Sequence, residues 1–446
     1  GLPGVAVTDG TNIVKTDAKG AYRFYTTGEA TMVYLTLPAG YEIPSEAGIA
    51  KFYQHIKAVK GKFKADFHLK KLDRPDTKHF AIVWADPQIN TDAQAQKLIT
   101  VSAPDTKAHV AELLQQGPVH GITAGDIYWD NFAMIPPYKK AVAVTGIPFF
   151  QVLGNHDMDI NVRSDEASDN TFHEHFGPSW YSFNRGNAHY VVLDNVFYYA
   201  NGYNYIGYVT EQQLKWLEQD LAGVKPGSPV FVSMHISGYT HEKSRNKKAA
   251  DNPGNITFNR QALYDLLKPF NAHLLTGHSH TNENVEEGGV YEHNTAALCG
   301  AWWTVPICTD GTPAGYGVYA VDGNNVSWYY KSVGKDKSYQ MRVYDRGRYP
   351  ARPADIAVNV WNWDKAWKVE WKEDGKGMGA MKRETALDAD ALLAMAGADK
   401  PGTYSWIEPS MTDHLFFATP SPSAKTVEII VTDRFGNIYT EKIALN

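Results

Sequence analysis

Five strand-like runs between residues 79 and 280 each end in side chains able to hold a metal. Residues 79–85 lead into Asp86-Pro87-Gln88, and 121–124 into Gly125-Asp126, with Asp130 just beyond. Residues 148–153 lead into Gly154-Asn155-His156-Asp157, 230–234 into His235, and 273–276 into Gly277-His278-Ser279-His280. Short apolar runs bounded by turn residues read as buried strands, and the carboxyl ends of such strands are where open α/β sheets assemble their sites. Helical patterns fall between them, at 108–116, 210–222 and 259–270. In 210–222, Leu214, Leu217 and Leu221 share one face behind a Thr-x-x-Gln capping pattern. Strand–helix alternation over this span requires an α/β core.

The residue types at the strand ends define a chemistry. Carboxylate, amide oxygen and imidazole form a borderline ligand set that suits Mn, Fe, Zn, Ni or Co better than Ca. If strand geometry continues, His278 and His280 lie on one side, one for each of two adjacent ions. Asp126 is the natural bridge, because a carboxylate can hold a metal on either oxygen. Glycine before a motif lets backbone approach where a Cβ would clash. Taken singly, Gly-Asp is most often a turn and His235 most often a core histidine. The order of all five carries the reading.

That order, Asp-x-(His or Gln), Gly-Asp, Gly-Asn-His-Asp, His, Gly-His-x-His, resembles the calcineurin-like metallophosphoesterases over about residues 78–333. The resemblance implies an α/β two-sheet sandwich with two divalent metal ions between the sheet edges. Carried over position by position, one ion takes Asp86, Asp126 and His280, and the other takes Asp126, Asn155, His235 and His278. Gln88 stands where most relatives have histidine, and it either ligates weakly or contacts a bound water. His156 faces the leaving group as general acid, with Asp157 acting from behind. Asp130 lies one residue further from Asp126 than the corresponding acid in the protein-phosphatase members; it orients His156, positions substrate or is purely structural. The implied activity is phosphoester hydrolysis, of a monoester or diester, with a metal-bridging hydroxide as nucleophile.

The flanks read as β. Residues 1–72 carry β-prone runs at 5–7, 21–25 and 32–37, and Gly-Leu-Pro-Gly-Val-x-Val with Thr16-Asp17-Ala18-Lys19-Gly20 resembles a prealbumin/carboxypeptidase-regulatory-like β-sandwich. The catalytic domain occupies 73–333. Residues 334–446, with runs at 366–371 and 427–432 and a helix at 388–396, read as a C-terminal β-sandwich.

Composition narrows the alternatives. With 43% hydrophobic and 21% charged residues the 446-residue chain is globular, and no run approaches the ~20 apolar residues of a transmembrane segment. A net charge of −6 disfavours nucleic acid as partner and with it a nuclease of the same superfamily; residues 242–248 are the best basic stretch. A catalytically weak surface binding module is the non-enzymatic alternative. Among 12 Trp and 26 Tyr, the residues Trp129, Tyr198, Tyr199, Tyr239, Trp302 and Trp303 are candidates to line a cleft, which favours a nucleotide or a sugar phosphate as the small phosphorylated substrate. Cys299 and Cys308 are spaced to bridge a short loop or to remain two free buried thiols. The chain opens on Gly1 with no basic and apolar leader, which reads as a processed product. Two β-domains and the aromatic wealth then point to an exported bacterial protein, periplasmic or at the cell surface.

Overall fold

The computed structural model describes residues 1–26, 30–56, 61–200, 202–349, 351–397 and 400–445. Two sheets face one another at its centre. The seven-stranded sheet runs, edge to edge, Asn325–Ser332, Gly315–Asp322, Lys78–Trp84, Val119–Thr123, Phe149–Gln151, Ile49–Ala50 and Ser45–Glu46. The six-stranded sheet runs Tyr181–Arg185, Ala188–Val192, Pro229–Ser233, Asn271–Thr276, Val290–Asn294 and Glu283–Glu287. The strands that precede the ligand motifs are parallel neighbours within each sheet. Their carboxyl ends therefore emerge at one edge of the sandwich.

Both faces of the central strands are covered, which is why they read as continuous apolar runs. In Lys78–Trp84 the alternation sends Ala81 and Val83 between the sheets, while Phe80, Ile82 and Trp84 face the helices. Helices Ala103–Leu114 and Ile135–Thr145 cover the seven-stranded sheet; Glu211–Leu221 and Arg260–Leu267 cover the other. Thr210 caps Glu211–Leu221 by accepting from the Gln213 N–H, and Trp216, Leu217 and Leu221 are its buried face. The helix expected at 108–116 starts earlier, at Ala103, with Pro104 in its first turn, where a missing N–H costs nothing. Between the sheets an unbroken stack of rings crosses the strands: Phe150, Phe183, Tyr190, Phe231, His273 and His293, with centroids 3.8–5.3 Å apart.

The first 72 residues do not stand apart from this core. Ile13–Lys15, Ala6–Thr8, Met32–Leu35 and Tyr53–His55 form a four-stranded sheet. The hairpin of Ser45–Glu46 and Ile49–Ala50 instead extends the seven-stranded sheet, with Ile49 parallel to Phe149. Phe52 packs on Phe150 and Tyr181 at 5.7 and 4.6 Å. Residues 21–25, expected as a strand, are irregular.

Toward the C-terminus two four-stranded sheets pack face to face. One holds Arg342–Tyr344, Ile356–Asn359, Met411–Ala418 and Lys382–Leu387; the other holds Lys376–Ala380, Lys368–Glu373, Thr426–Thr432 and Ile438–Ala444. Val358, Trp367, Phe416 and Ile429 lie in the core between them. This sandwich is bonded to the six-stranded sheet through Tyr291 and Asp364 (2.7 Å) and through Asn284 and the Asn362 carbonyl (2.8 Å). Among the described residues no helix is long and apolar enough to cross a membrane. Cys299 and Cys308 are free thiols, both buried, so the bridge between them is absent.

Candidate metal centre

The loops after the parallel strands bring Asp86, Gln88, Asp126, Asn155, His235, His278 and His280 together. Glycine is required at three of the approaches. A Cβ on Gly154 would lie 2.1 Å from the Asp126 nitrogen, one on Gly125 would lie 2.4 Å from the His235 ring, and one on Gly277 would lie 2.6 Å from an Asp86 oxygen. The backbone is strained there too. Asp86, Gln88, Asp126, Asp130, His278 and His280 all take φ between 41° and 69°, the left-handed region that costs a non-glycine residue about 1–3 kcal/mol. His278 and His280 therefore do not continue the strand, and alternation is not what brings them together. Each is turned in by its own left-handed residue, His278 toward His235 and His280 toward Asp86.

The polar atoms crowd at hydrogen-bond distance. His235 Nε2 lies 3.2 Å from Asp126 Oδ1, 3.0 Å from Asn155 Oδ1 and 3.1 Å from His278 Nδ1. Its Nδ1 faces the Ala124 carbonyl at 2.9 Å, so Nδ1 carries a proton and Nε2 is the atom turned toward Asp126, Asn155 and His278. Ligand atoms of Asp126, His235 and His278 all lie within 4.8 Å of one another. On the other side of Asp126, Gln88 Nε2 donates to Oδ2 at 3.2 Å, and His280 Nε2 stands 3.6 Å from Asp86 Oδ1. Gln88 Oε1 is buried with no hydrogen-bond partner. Asp126 thus stands between two groups of donors, one oxygen toward each.

Protonation follows this crowding. Burial pushes Asp86 up to about 7, whereas Asp126 stays low because His235 and His156 outweigh its own burial. Burial also lowers His278 to about 3 and His280 to about 4, leaving both neutral and able to ligate. His235 is raised to about 9 because Asp126 and Asp86 overcome its desolvation. Buried carboxylates, the neutral imidazoles of His278 and His280, an orphaned amide oxygen and a His235 proton that an ion would displace together fit divalent cations with N/O ligation.

His156 sits at the rim. Its Nδ1 contacts both oxygens of Asp130, at 3.0 and 3.1 Å, and its N–H donates to Asp126. Burial lowers its pKa, yet Asp126 and Asp130 raise it more, for a net upward shift. The carboxylate on the ring is therefore Asp130, not the neighbouring Asp157. Asp157 is fully buried and accepts from the N–H groups of Ile127 (2.9 Å), Tyr128 (3.3 Å) and Gly154 (2.9 Å), tying two ligand loops together.

A cleft of about 370 Å³ opens over these residues. Trp129 and Trp302 line it. Tyr198, Tyr199, Tyr239 and Trp303 do not: Tyr198 is buried, Tyr239 lies under Arg260, and Trp303 donates to the Pro87 carbonyl at 2.8 Å, bracing the Asp-Pro-Gln loop. Tyr205, Arg245, Trp406, Ser410 and Met411 line the cleft without any motif to mark them. In the 242–248 stretch, Arg245 pairs with Glu283 and Lys248 with Glu242, so much of its positive charge is spent internally.

Sequence profiles agree with this architecture. That for calcineurin-like phosphoesterase matches residues 65–282, that for the N terminal of calcineurin-like phosphoesterase 1–72, and that for the C terminal of calcineurin-like phosphoesterase 292–439. Fold and site define a metal-dependent phosphoric ester hydrolase. The chain belongs to the calcineurin-like phosphoesterases that carry both accessory regions.

Solved structures resemble it more distantly. A dimetal phosphatase from Danio rerio is 13% identical, over 58% of this chain and 97% of its own, with a TM-score of 0.38. A purple acid phosphatase from yellow lupin seeds is 15% identical, over 74% and 67%, with a TM-score of 0.40. A putative 5'-nucleotidase from Staphylococcus aureus is 13% identical, over 57% and 53%, with a TM-score of 0.35. The family assignment rests on the profiles. No curated protein matches the sequence.

Proposed function

We propose that the chain hydrolyses a small phosphoester with two divalent ions and with His156 as general acid. Asp86, Gln88, Asp126 and His280 would hold one ion, and Asp126, Asn155, His235 and His278 the other. When bound, such ions supply Lewis acidity, making water more acidic and offsetting charge on phosphoryl oxygens. The observation that carries the reading is the convergence of His235 Nε2 with Asp126, Asn155 and His278 at 3.0–3.2 Å, a set of N and O ligand atoms close enough to share one cation in place of a proton.

The remaining work falls to the protein. Asp130 fixes the His156 ring and favours a proton on Nδ1, which leaves Nε2 for the cleft that His156 lines. The Asp130 carboxylate on Nδ1 favours imidazolium, the form that can protonate a departing alkoxide. Asp157 holds Asp126 and Asn155 in register through the backbone of both loops.

Replacing His156 tests the acid. His156→Asn is expected to slow an alkyl phosphoester by about 10²–10⁴-fold and a nitrophenyl ester far less, because nitrophenolate leaves without a proton. Metal content should be unchanged. Equal slowing of both esters, with metal retained, would instead make His156 a phosphoryl-binding group.

A further inference from the structure

We propose that Trp406, delivered by the C-terminal sandwich, selects phosphoesters whose leaving group carries a ring with an apolar face. The inference rests on the phosphoester reading above and narrows it to a substrate class.

The cleft lining has two unlike parts. One is aromatic. Trp302 lies flat on His280, with centroids 3.9 Å apart and planes 12° from parallel, so one of its faces is already used. Trp406 meets Trp302 near-perpendicularly at 4.7 Å and Trp129 at 6.0 Å, and Tyr404 packs against Trp129 at 5.0 Å. Trp302 and Tyr404 hold φ of 47° and 57°, so the loops that present these rings carry backbone strain. Packed against two other indoles, Trp406 is nevertheless 54% exposed and lines the cleft. An indole fixed this firmly with its surface in water is pre-organised for a ring it does not yet touch.

Thr240, Arg245, Asn246 and Asn255 add a polar part to the same lining. Arg245 is buried and held by Glu283 at 2.8 Å, yet its Nε–H has no partner. A ring with an apolar face and a hydrogen-bonding rim matches this mixed lining. Both a sugar and a nucleoside have that character, and a cleft of about 370 Å³ holds either with its phosphoryl group.

The test uses full-length, metal-loaded enzyme on a hexose phosphate, a nucleoside monophosphate and glycerol phosphate, in the native chain, W406A and W406F. W406A should lose roughly tenfold in kcat/KM on the preferred ring-bearing ester, chiefly through KM, and less than about twofold on glycerol phosphate. W406F should keep most of the native value. The two ring-bearing arms separate a sugar from a nucleobase. Calorimetric binding of the dephosphorylated product should weaken in parallel in W406A, with metal content unchanged. Equal loss on all three esters, or no loss on the ring-bearing ones, overturns the inference while leaving hydrolysis intact. Failure of the native enzyme to cleave any of the three, or a bis(nitrophenyl) phosphate diester, would overturn the phosphoester reading itself.

Discussion

Buried histidines occupy two regions between the sheets, and what they face differs. At the carboxyl edge, His235 meets Asp126 and is raised to about 9, while His278 and His280 are lowered to about 3 and 4 but still stand among carboxylates. In mid-sandwich, His79, His120, His273 and His293 meet mainly rings. Burial lowers His79 to about 4 and His273 to about 3, and holds His120 and His293 well below their usual range. His79 still finds partners in Tyr190 (2.7 Å) and the Asp76 carbonyl, whereas His120 Nε2, His273 Nε2 and His293 Nδ1 have none. None of these four has left-handed backbone; the edge ligands Asp86, Asp126, His278 and His280 all do. Burial alone therefore does not make a histidine a ligand. Carboxylates facing it do, and the strain needed to aim them concentrates at that edge.

The largest effect should come from breaking the edge. Asp126→Asn removes the charge shared by both groups of donors, so turnover should be abolished and both ions lost together. Loss of only one ion would show that Asp126 does not bridge. The comparable change in mid-sandwich, His120→Phe, should leave turnover near native, because that ring packs on Phe183 and Tyr190 away from the ligands.

A smaller effect should appear in stability. A histidine whose folded pKa lies below its unfolded value near 6.5 resists protonation only while folded. Stability is then full above pH 6.5 and falls with pH toward the folded values, about 4 for His79 and about 3 for His273. Each such group adds a slope of about 1.4 kcal/mol per pH unit in that window. Urea denaturation of native protein and His120→Phe at pH 7 and pH 5 reads this directly. The variant should lose less stability on acidification, by about one proton's slope. Identical slopes would mean that His120 takes up a proton inside the fold.

Much of the edge was legible in the amino-acid sequence, because each strand is followed within a few residues by its own polar group. Parallel pairing then makes neighbours of groups far apart along the chain. What stayed illegible depends on loop geometry or on distant segments. Spacing alone left the role of Asp130 open; its φ of 54° and the His156–Asp130 contact are properties of the folded loop. Trp406 and Arg245 reach the cleft from a C-terminal loop and from the end of a four-residue helix, and neither has a periodic pattern. The Ser45–Glu46 and Ile49–Ala50 strands have two residues each, too few for any alternation to register.

The central claim is a two-ion site bridged by Asp126, and elemental analysis of the active native enzyme tests it most directly. The account predicts two divalent transition-metal ions per chain, falling together toward zero in Asp126→Asn. Fewer than one ion per chain in fully active native protein would contradict it.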